Sequence, residues 1–242
     1  MQQSINIKNK LLKLIWINFI EKININYAKK IIFSSNFEKI ETNKVLKINK
    51  PTIIKNFLQC SILKNLYRKK NYLLYLGRIH PKKNIHKIIE AYPKNINYKI
   101  KLVGPGSSDY LFRLKKLILS KKLKSNIKIL KPIYNNSKNK IFAEARYSIL
   151  LSETENFGNT ILESVLNYTP VIISKNTGLS SIIQKYKAGY VINNSVKSLK
   201  NIFMKIQKKK NHKISKKVVK EIAFIFNEEK IINDYLKIFN MR

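Results

Sequence analysis

From about residue 70 onward, short unbroken apolar runs alternate with longer stretches in which apolar positions recur every three or four residues. The runs are YLLYL (72–76), KIKLV (99–103), IKIL (127–130), YSILL (147–151), PVIIS (170–174) and a short YVI (190–192). A strand covered on both faces loses the polar alternation of a half-exposed one, so these runs predict buried parallel strands. Helices are expected between them over about 84–92, 109–122, 137–146, 159–168 and 179–186. After the last run only helices are expected, over 196–209, 214–225 and 228–239. This alternation predicts a doubly wound α/β sheet.

The first 70 residues read differently. A helix over about 8–28 leads to a strand in KKIIFSS (29–35), a short helix and a second strand in PTIIKN (51–56), with no glycine anywhere. This is too little to close a second sheet. The opening helix, NKLLKLIWINFIEKI, carries Lys10, Lys13, Asn18 and Glu21. It is too short and too charged to span a bilayer, and it lacks a small-residue cleavage site. The favoured reading is a core-packing helix. The alternative is a helix lying on anionic lipid with Trp16 at the interface.

Composition adjusts this picture modestly. With 242 residues and 44% apolar side chains, the chain can bury a sizeable core. The net charge of +36 suggests polyanion attraction, but only five of the 49 basic residues are arginine and the lysines are spread along the chain. Lysine, asparagine and isoleucine rise together, which reads as surface drift. No helix-turn-helix, zinc or stacking-platform motif accompanies the charge, so no specific nucleic-acid partner is expected. Cys60 is the sole cysteine, which excludes an intrachain disulfide and makes a reducing cytoplasm the simplest compartment. His80, His86 and His212 are isolated, so no zinc site is expected.

Glycine placement points to a ligand edge. Of six glycines, Gly77 and Gly104 directly follow strands, Gly158 follows one after a short loop, and Gly178 lies beyond another. In an open α/β sheet the loops beyond the strand carboxyl ends form the ligand crevice. Glycine there admits close approach of backbone N–H groups. In YLGRIHPKKNIHKIIEAY (75–92), Arg78 and Lys83 stand five apart before a helix start, a setting that suits a diphosphate. KLVGPGSS (101–108) supplies Gly104 and Gly106, but no third glycine makes a dinucleotide fingerprint.

SETENFGNTILES (152–164) reads as a loop entering a helix near Gly158 or Asn159. Glu155 would stand before that helix and Glu163 about one turn inside it. Carboxylates there can each accept two sugar O–H donors. They can equally complement the helix dipole, and local physics leaves these readings even. Four of the 13 acids (Glu144, Glu153, Glu155, Glu163) fall within twenty positions of this otherwise basic chain.

Glu155-Asn156-Phe157-Gly158, four residues and Glu163 resemble the E-x7-E motif of retaining glycosyltransferases of the GT-B fold. GRIHPKKN, LVGPG, IKILKPIY, SETENFGNTILE, TPVIIS and the terminal FNEEKIINDYLKIF follow in family order, so the chain over about 72–240 is similar to glycosyltransferase family 4, the glycosyl transferases group 1. The resemblance implies an α/β fold of GT-B type. One complete Rossmann-like parallel-sheet domain over 71–225 would bind the nucleotide-sugar donor. Residues 1–70 would be the remnant of the acceptor-side domain, and 226–242 a helix returning toward the N-terminal part.

The implied activity is retaining transfer of a sugar from a nucleoside-diphosphate sugar, UDP- or GDP-linked, to a cell-surface polysaccharide or lipid-linked glycan. The alternative is a truncated, inactive or split-enzyme fragment that only binds nucleotide sugar. By resemblance Glu163 would hold the ribose hydroxyls. Glu155 and the backbone of Asn156, Phe157, Gly158 and Asn159 would hold the donor sugar and phosphate. Arg78 and Lys83 would neutralise the diphosphate, Gly77, Gly104 and Gly106 would line the strand ends, and Pro132 and Ile133 would pass the base. No metal and no cofactor are expected. A separate chain supplying the missing domain, and a peripheral position on the inner face of a membrane, are further implied partners. Asn84, Lys131 and Ser181 depart from the family's usual glycine, glycine and acid.

Overall fold

The computed structural model describes residues 12, 14–57, 62–63, 66–93, 95–134, 136–208 and 212–239, which fall into two units, Met1–Lys55 and Asn56–Arg242. In the first, a π-helical stretch (Ile17–Glu21) runs into α1 (Lys22–Tyr27). Neither buries a side chain: Trp16 is 53%, Phe19 68% and Tyr27 86% exposed. The expected core-packing helix is therefore corrected. Leu12, Trp16, Phe19, Ile23 and Tyr27 recur at three- and four-residue intervals, and all of them are exposed. The predicted residues 8–11 and 13 of that helix lie outside the described residues. β1 (Ile31–Phe33), α2 (Asn36–Asn43) and β2 (Pro51–Ile53) form a parallel βαβ element. Ser35 caps α2, its Oγ accepting from Glu38 N at 3.1 Å.

The second unit holds a six-stranded parallel sheet built from the six apolar runs. β3 (Tyr72–Leu76) pairs with β4 (Lys99–Val103) on one side and, from Leu73 against Tyr147, with β6 (Tyr147–Leu150) on the other. β5 (Ile127–Leu130) flanks β4, while β7 (Val171–Ser174) and β8 (Gly189–Ile192) continue beyond β6. The order is β5-β4-β3-β6-β7-β8, so the chain reverses its direction of growth between β3 and β6. In such a sheet the loops diverge at that point and leave a crevice at the carboxyl ends.

Both faces of the sheet are covered, which is why the strands read as unbroken apolar runs. Leu73, Tyr75, Ile100 and Leu102 enter the larger core cluster, whereas Tyr72, Leu74 and Val103 point the other way. The larger cluster is completed by α3 (Ile85–Ala91), α4 (Ser108–Ser120), α6 (Asn159–Leu166), α7 (Ser180–Lys185), α8 (Val196–Lys208) and α9 (Lys216–Ile225). α10 (Glu228–Phe239) follows and buries Ile231. Ile85, Ile88 and Ile89 on α3, and Leu199, Ile202, Phe203 and Ile206 on α8, keep the helical spacing the sequence showed. Each such side chain removed from water contributes roughly 2 kcal/mol. α5 (Asn136–Glu144) covers the second face with Ile141 and Phe142, and Tyr72 Oη donates to Ile141 O at 2.6 Å. Among the described residues no helix is long and apolar enough to cross a membrane.

Candidate functional site

The loop after β3 and the loop after β6 meet at the reversal point. Tyr75 Oη donates to Arg78 O at 2.7 Å, fixing the backbone where the exposed Arg78 begins the first loop. Burial, then the charge of Glu155, pushes the Tyr75 phenol well above its usual range, so it stays a donor. A 3-10 turn (Pro81–Lys83) follows, and His80 Nδ1 accepts from Lys82 N at 3.3 Å. Burial lowers the His80 pKa, and the charges of Arg78, Lys82 and Lys83 lower it further. A neutral imidazole keeps that acceptor, and the same positive field favours an anion in the crevice.

Asn84 ends the turn at φ 52, almost fully buried, and its Nδ2 donates to Leu151 O at 2.9 Å. The left-handed region is costly for most side chains and is tolerated best by glycine and asparagine. Asparagine therefore takes this position without backbone conflict, and adds a tie to the end of β6.

Three further ties join the loops. Glu153 N donates to Lys82 O at 2.9 Å. Lys83 Nζ forms an ion pair with Glu155 Oε2, and Ser152 Oγ donates to the same oxygen at 3.1 Å. The Glu155 backbone in turn pairs with the loop after β7, through Glu155 N to Asn176 O at 3.0 Å and Gly178 N to Glu155 O at 2.8 Å. The Lys83 and Glu155 side chains each keep 21% exposure, so both charges are held in place yet reachable from solvent.

α6 opens at the same edge. Gly158 stands before it at φ 94, and a Cβ there would lie 2.8 Å from Ile161 Cδ1. Ile161 N donates to Gly158 O at 2.9 Å, and the N–H groups of the first turn lie at the anion-favouring end of the helix. Phe157 is buried, its ring edge-on to Phe226 at 5.4 Å, so only its backbone is available to the crevice. One turn into α6, Glu163 Oε1 accepts from Lys138 Nζ at 2.5 Å, while Glu163 Oε2 is buried without a partner among the described residues.

Other expected residues have a packing role. A Cβ on Gly104 would stand 1.9 Å from Gly77 O, and one on Gly106 would stand 2.9 Å from Ile79 Cβ. Gly77 N donates to Val103 O at 3.0 Å and Ile79 N to Pro105 O at 2.7 Å. These glycines let the loops after β3 and β4 lie against each other. Pro132 and the half-buried Ile133 follow β5 on the same edge of the sheet, and Ile133 packs on the second core cluster.

The clustered acids separate by role. Glu144 pairs with Lys70 at 2.8 Å, near the amino end of β3 and away from the crevice. Glu155 and Glu163 pair at the crevice edge. Lys138 and Ser152 were not legible beforehand, since a single lysine carries no signal in a lysine-rich chain. Among the described residues no three His, Cys, Asp or Glu side chains gather in one place.

The sequence profile of the family described as Glycosyl transferases group 1 matches residues 63–222. The chain is 26% identical to the O-antigen chain mannosyltransferase RfbU of Salmonella typhimurium over 165 residues, 66% of this chain and 46% of RfbU. It spans less than half the length of the curated relatives it matches. Among solved structures, sucrose-phosphate synthase from Thermosynechococcus elongatus superposes with a TM-score of 0.81 at 18% identity, covering 98% of this chain and 63% of that one. HepE from Anabaena, in complex with UDP-glucose, gives 0.76 at 18% identity, covering 97% and 68%. These likenesses show a GT-B type of fold.

Proposed function

Since the chain belongs to the glycosyl transferases group 1 family, we propose that its crevice binds a nucleoside-diphosphate sugar. In the protein as a whole, the sugar passes with retention to a polysaccharide or lipid-linked glycan. The observation that carries this reading is the Lys83–Glu155 pair at the sheet reversal, beside Arg78 and the start of α6. A cation, a carboxylate and the positive end of a helix in one crevice are what a sugar diphosphate needs.

Arg78 and Lys83 take the charge that develops on the leaving diphosphate. Stabilising that charge in a partly enclosed site lowers the barrier more than it would in water. Glu155, braced by Ser152 and Lys83, accepts from a hydroxyl of the donor sugar. The backbone N–H groups of 156–159 meet phosphate or sugar oxygens. The buried, unpartnered oxygen of Glu163 accepts a ribose hydroxyl. Pro132 and Ile133 lie beside the base. RfbU is named a mannosyltransferase, whereas HepE was solved with UDP-glucose. The two names point to different sugars, so the proposal stays at the level of the nucleoside-diphosphate sugar.

Calorimetric titration with UDP, GDP and ADP at physiological salt tests the reading, beside Glu163→Ala and Arg78→Ala. Saturable binding of one nucleotide, lost in both variants, is expected. Weak binding of all three, indifferent to both substitutions and screened by added salt, would overturn it.

A further inference from the structure

Two cavities that share lining residues open at the amino ends of β3 and β6, the edge of the sheet opposite the crevice. The two edges are separated by the length of a strand, on the order of 15 Å. One cavity, of about 520 Å³, is lined by Arg68, Lys69, Lys70, Asn71 and Arg146. The other, of about 460 Å³, shares Arg68, Lys69 and Arg146 with it. It adds Lys213, His212 and an apolar wall of Leu66, Tyr67, Tyr168 and Ile214. Two of the chain's five arginines meet here. Lysine is the background of this chain; arginine is not.

The cations are placed rather than scattered. Arg146 lies over the Tyr98 ring at 4.7 Å, and its Nη1 donates to Asn71 Oδ1 at 3.2 Å. Its Nε is buried without a partner among the described residues. Lys69 Nζ donates to Thr169 Oγ1 at 2.5 Å, and burial pushes its pKa down to about 8. Among the described residues no carboxylate lines either cavity, and the nearby Glu144 is engaged by Lys70 at 2.8 Å.

We propose that this recess is a second anion site, taking a phosphoryl group carried on an apolar substituent, separate from the nucleotide crevice. Phosphoryl oxygens match the guanidinium fork and give the Arg146 Nε–H and the spare Lys69 donors their missing partners. The apolar wall beside them takes the substituent out of water. Binding a dianion also restores the charge that burial disfavours on Lys69.

The full chain is titrated at physiological salt with inorganic phosphate and with octyl phosphate, and is floated with phosphatidylcholine vesicles containing phosphatidic acid. Octyl phosphate is expected to saturate one site and to bind at least about tenfold more tightly than inorganic phosphate, through the buried alkyl chain. Arg68→Gln and Lys69→Met each lose roughly tenfold, as expected for removing a charge-assisted contact. Lys115→Gln and Lys200→Gln, exposed on α4 and α8, leave binding unchanged. Arg68 is exposed, so its variant reports the site without disturbing the fold. Flotation that follows the same variants identifies a lipid headgroup as the source. Octyl phosphate binding without flotation identifies a small phosphate ester. Equal binding by all variants, displacement of octyl phosphate by UDP, or no binding of any probe overturns the proposal.

Discussion

Lys83 and Glu155, 72 positions apart in sequence, form one ion pair across the gap where the sheet reverses between β3 and β6. If, as proposed, Lys83 meets the diphosphate and Glu155 the donor sugar, the two partners should fail differently. Lys83→Met is expected to weaken UDP or GDP and the corresponding nucleotide sugar alike, by roughly tenfold. Glu155→Gln is expected to leave the bare nucleotide within about threefold while the nucleotide sugar loses roughly tenfold. Paired titrations of nucleotide and nucleotide sugar check the split.

Asn84 combines a left-handed backbone with a buried side-chain bond to Leu151 O. Asn84→Gly keeps the backbone at ease and loses the bond, at about 1 kcal/mol. Asn84→Ala loses the bond and strains the backbone, at about 2 kcal/mol or more. Denaturant unfolding should rank parent, glycine and alanine in that order. An alanine variant as stable as the glycine one would dismiss the backbone argument.

Gly104 and Gly77 offer a second contrast. A Cβ on Gly104 collides with Gly77 O, whereas a Cβ on Gly77 meets nothing nearer than Tyr75 Oη at 3.6 Å. Gly104→Ala must move backbone and is expected to destabilise by about 3 kcal/mol or more; Gly77→Ala carries only its strained φ, about 1–2 kcal/mol. Thermal unfolding of the two variants side by side measures the difference.

Much of this architecture was legible beforehand. The six strands were marked by runs buried on both faces, and the helices among and after them by their apolar spacing, each end within two residues of the one observed. The two loops that carry the crevice were also marked, by Arg78 and Lys83 in one and Glu155 in the other. That Lys83 touches Glu155 was not legible, because sequence separation says nothing about which strands become neighbours. Gly104 and Gly106 were read as room for a ligand; their requirement comes from the adjoining loop, which a local motif cannot show. Lys138 was hidden by abundance.

That lysine yields its own test. It occupies one oxygen of Glu163, the carboxylate assigned to ribose. Lys138→Met is expected to free that oxygen and raise nucleotide affinity severalfold, while leaving a half-buried carboxylate unpaired and lowering stability by about 1 kcal/mol. Calorimetry and unfolding on the same preparation check both. A fall in affinity would mean that the ammonium itself contacts the nucleotide.

Lys69 sets a pH dependence. Its folded pKa, about 8, lies below the ordinary 10.5, so between those values the unfolded chain binds more protons. Its contribution to stability is present above pH 10.5, is lost as pH falls through this window, and is flat below about 8. The unfolding free energy of the parent should therefore climb more steeply from pH 8 to 10.5 than that of Lys69→Met, by at most about 3 kcal/mol. Parallel slopes would place Lys69 in water.

The strand order has a consequence for how the protein reaches its native state. β3, β4 and β5 can assemble from near neighbours in the chain, as can β6, β7 and β8, but the β3–β6 pairing closes a loop of about 70 residues. Contacts of such long range form late, because the loop-closure entropy must be met first. The crevice exists only when that last seam shuts. Nucleotide binding during refolding should therefore appear after most secondary structure has formed, and would report the joining of two half-sheets rather than the growth of either one.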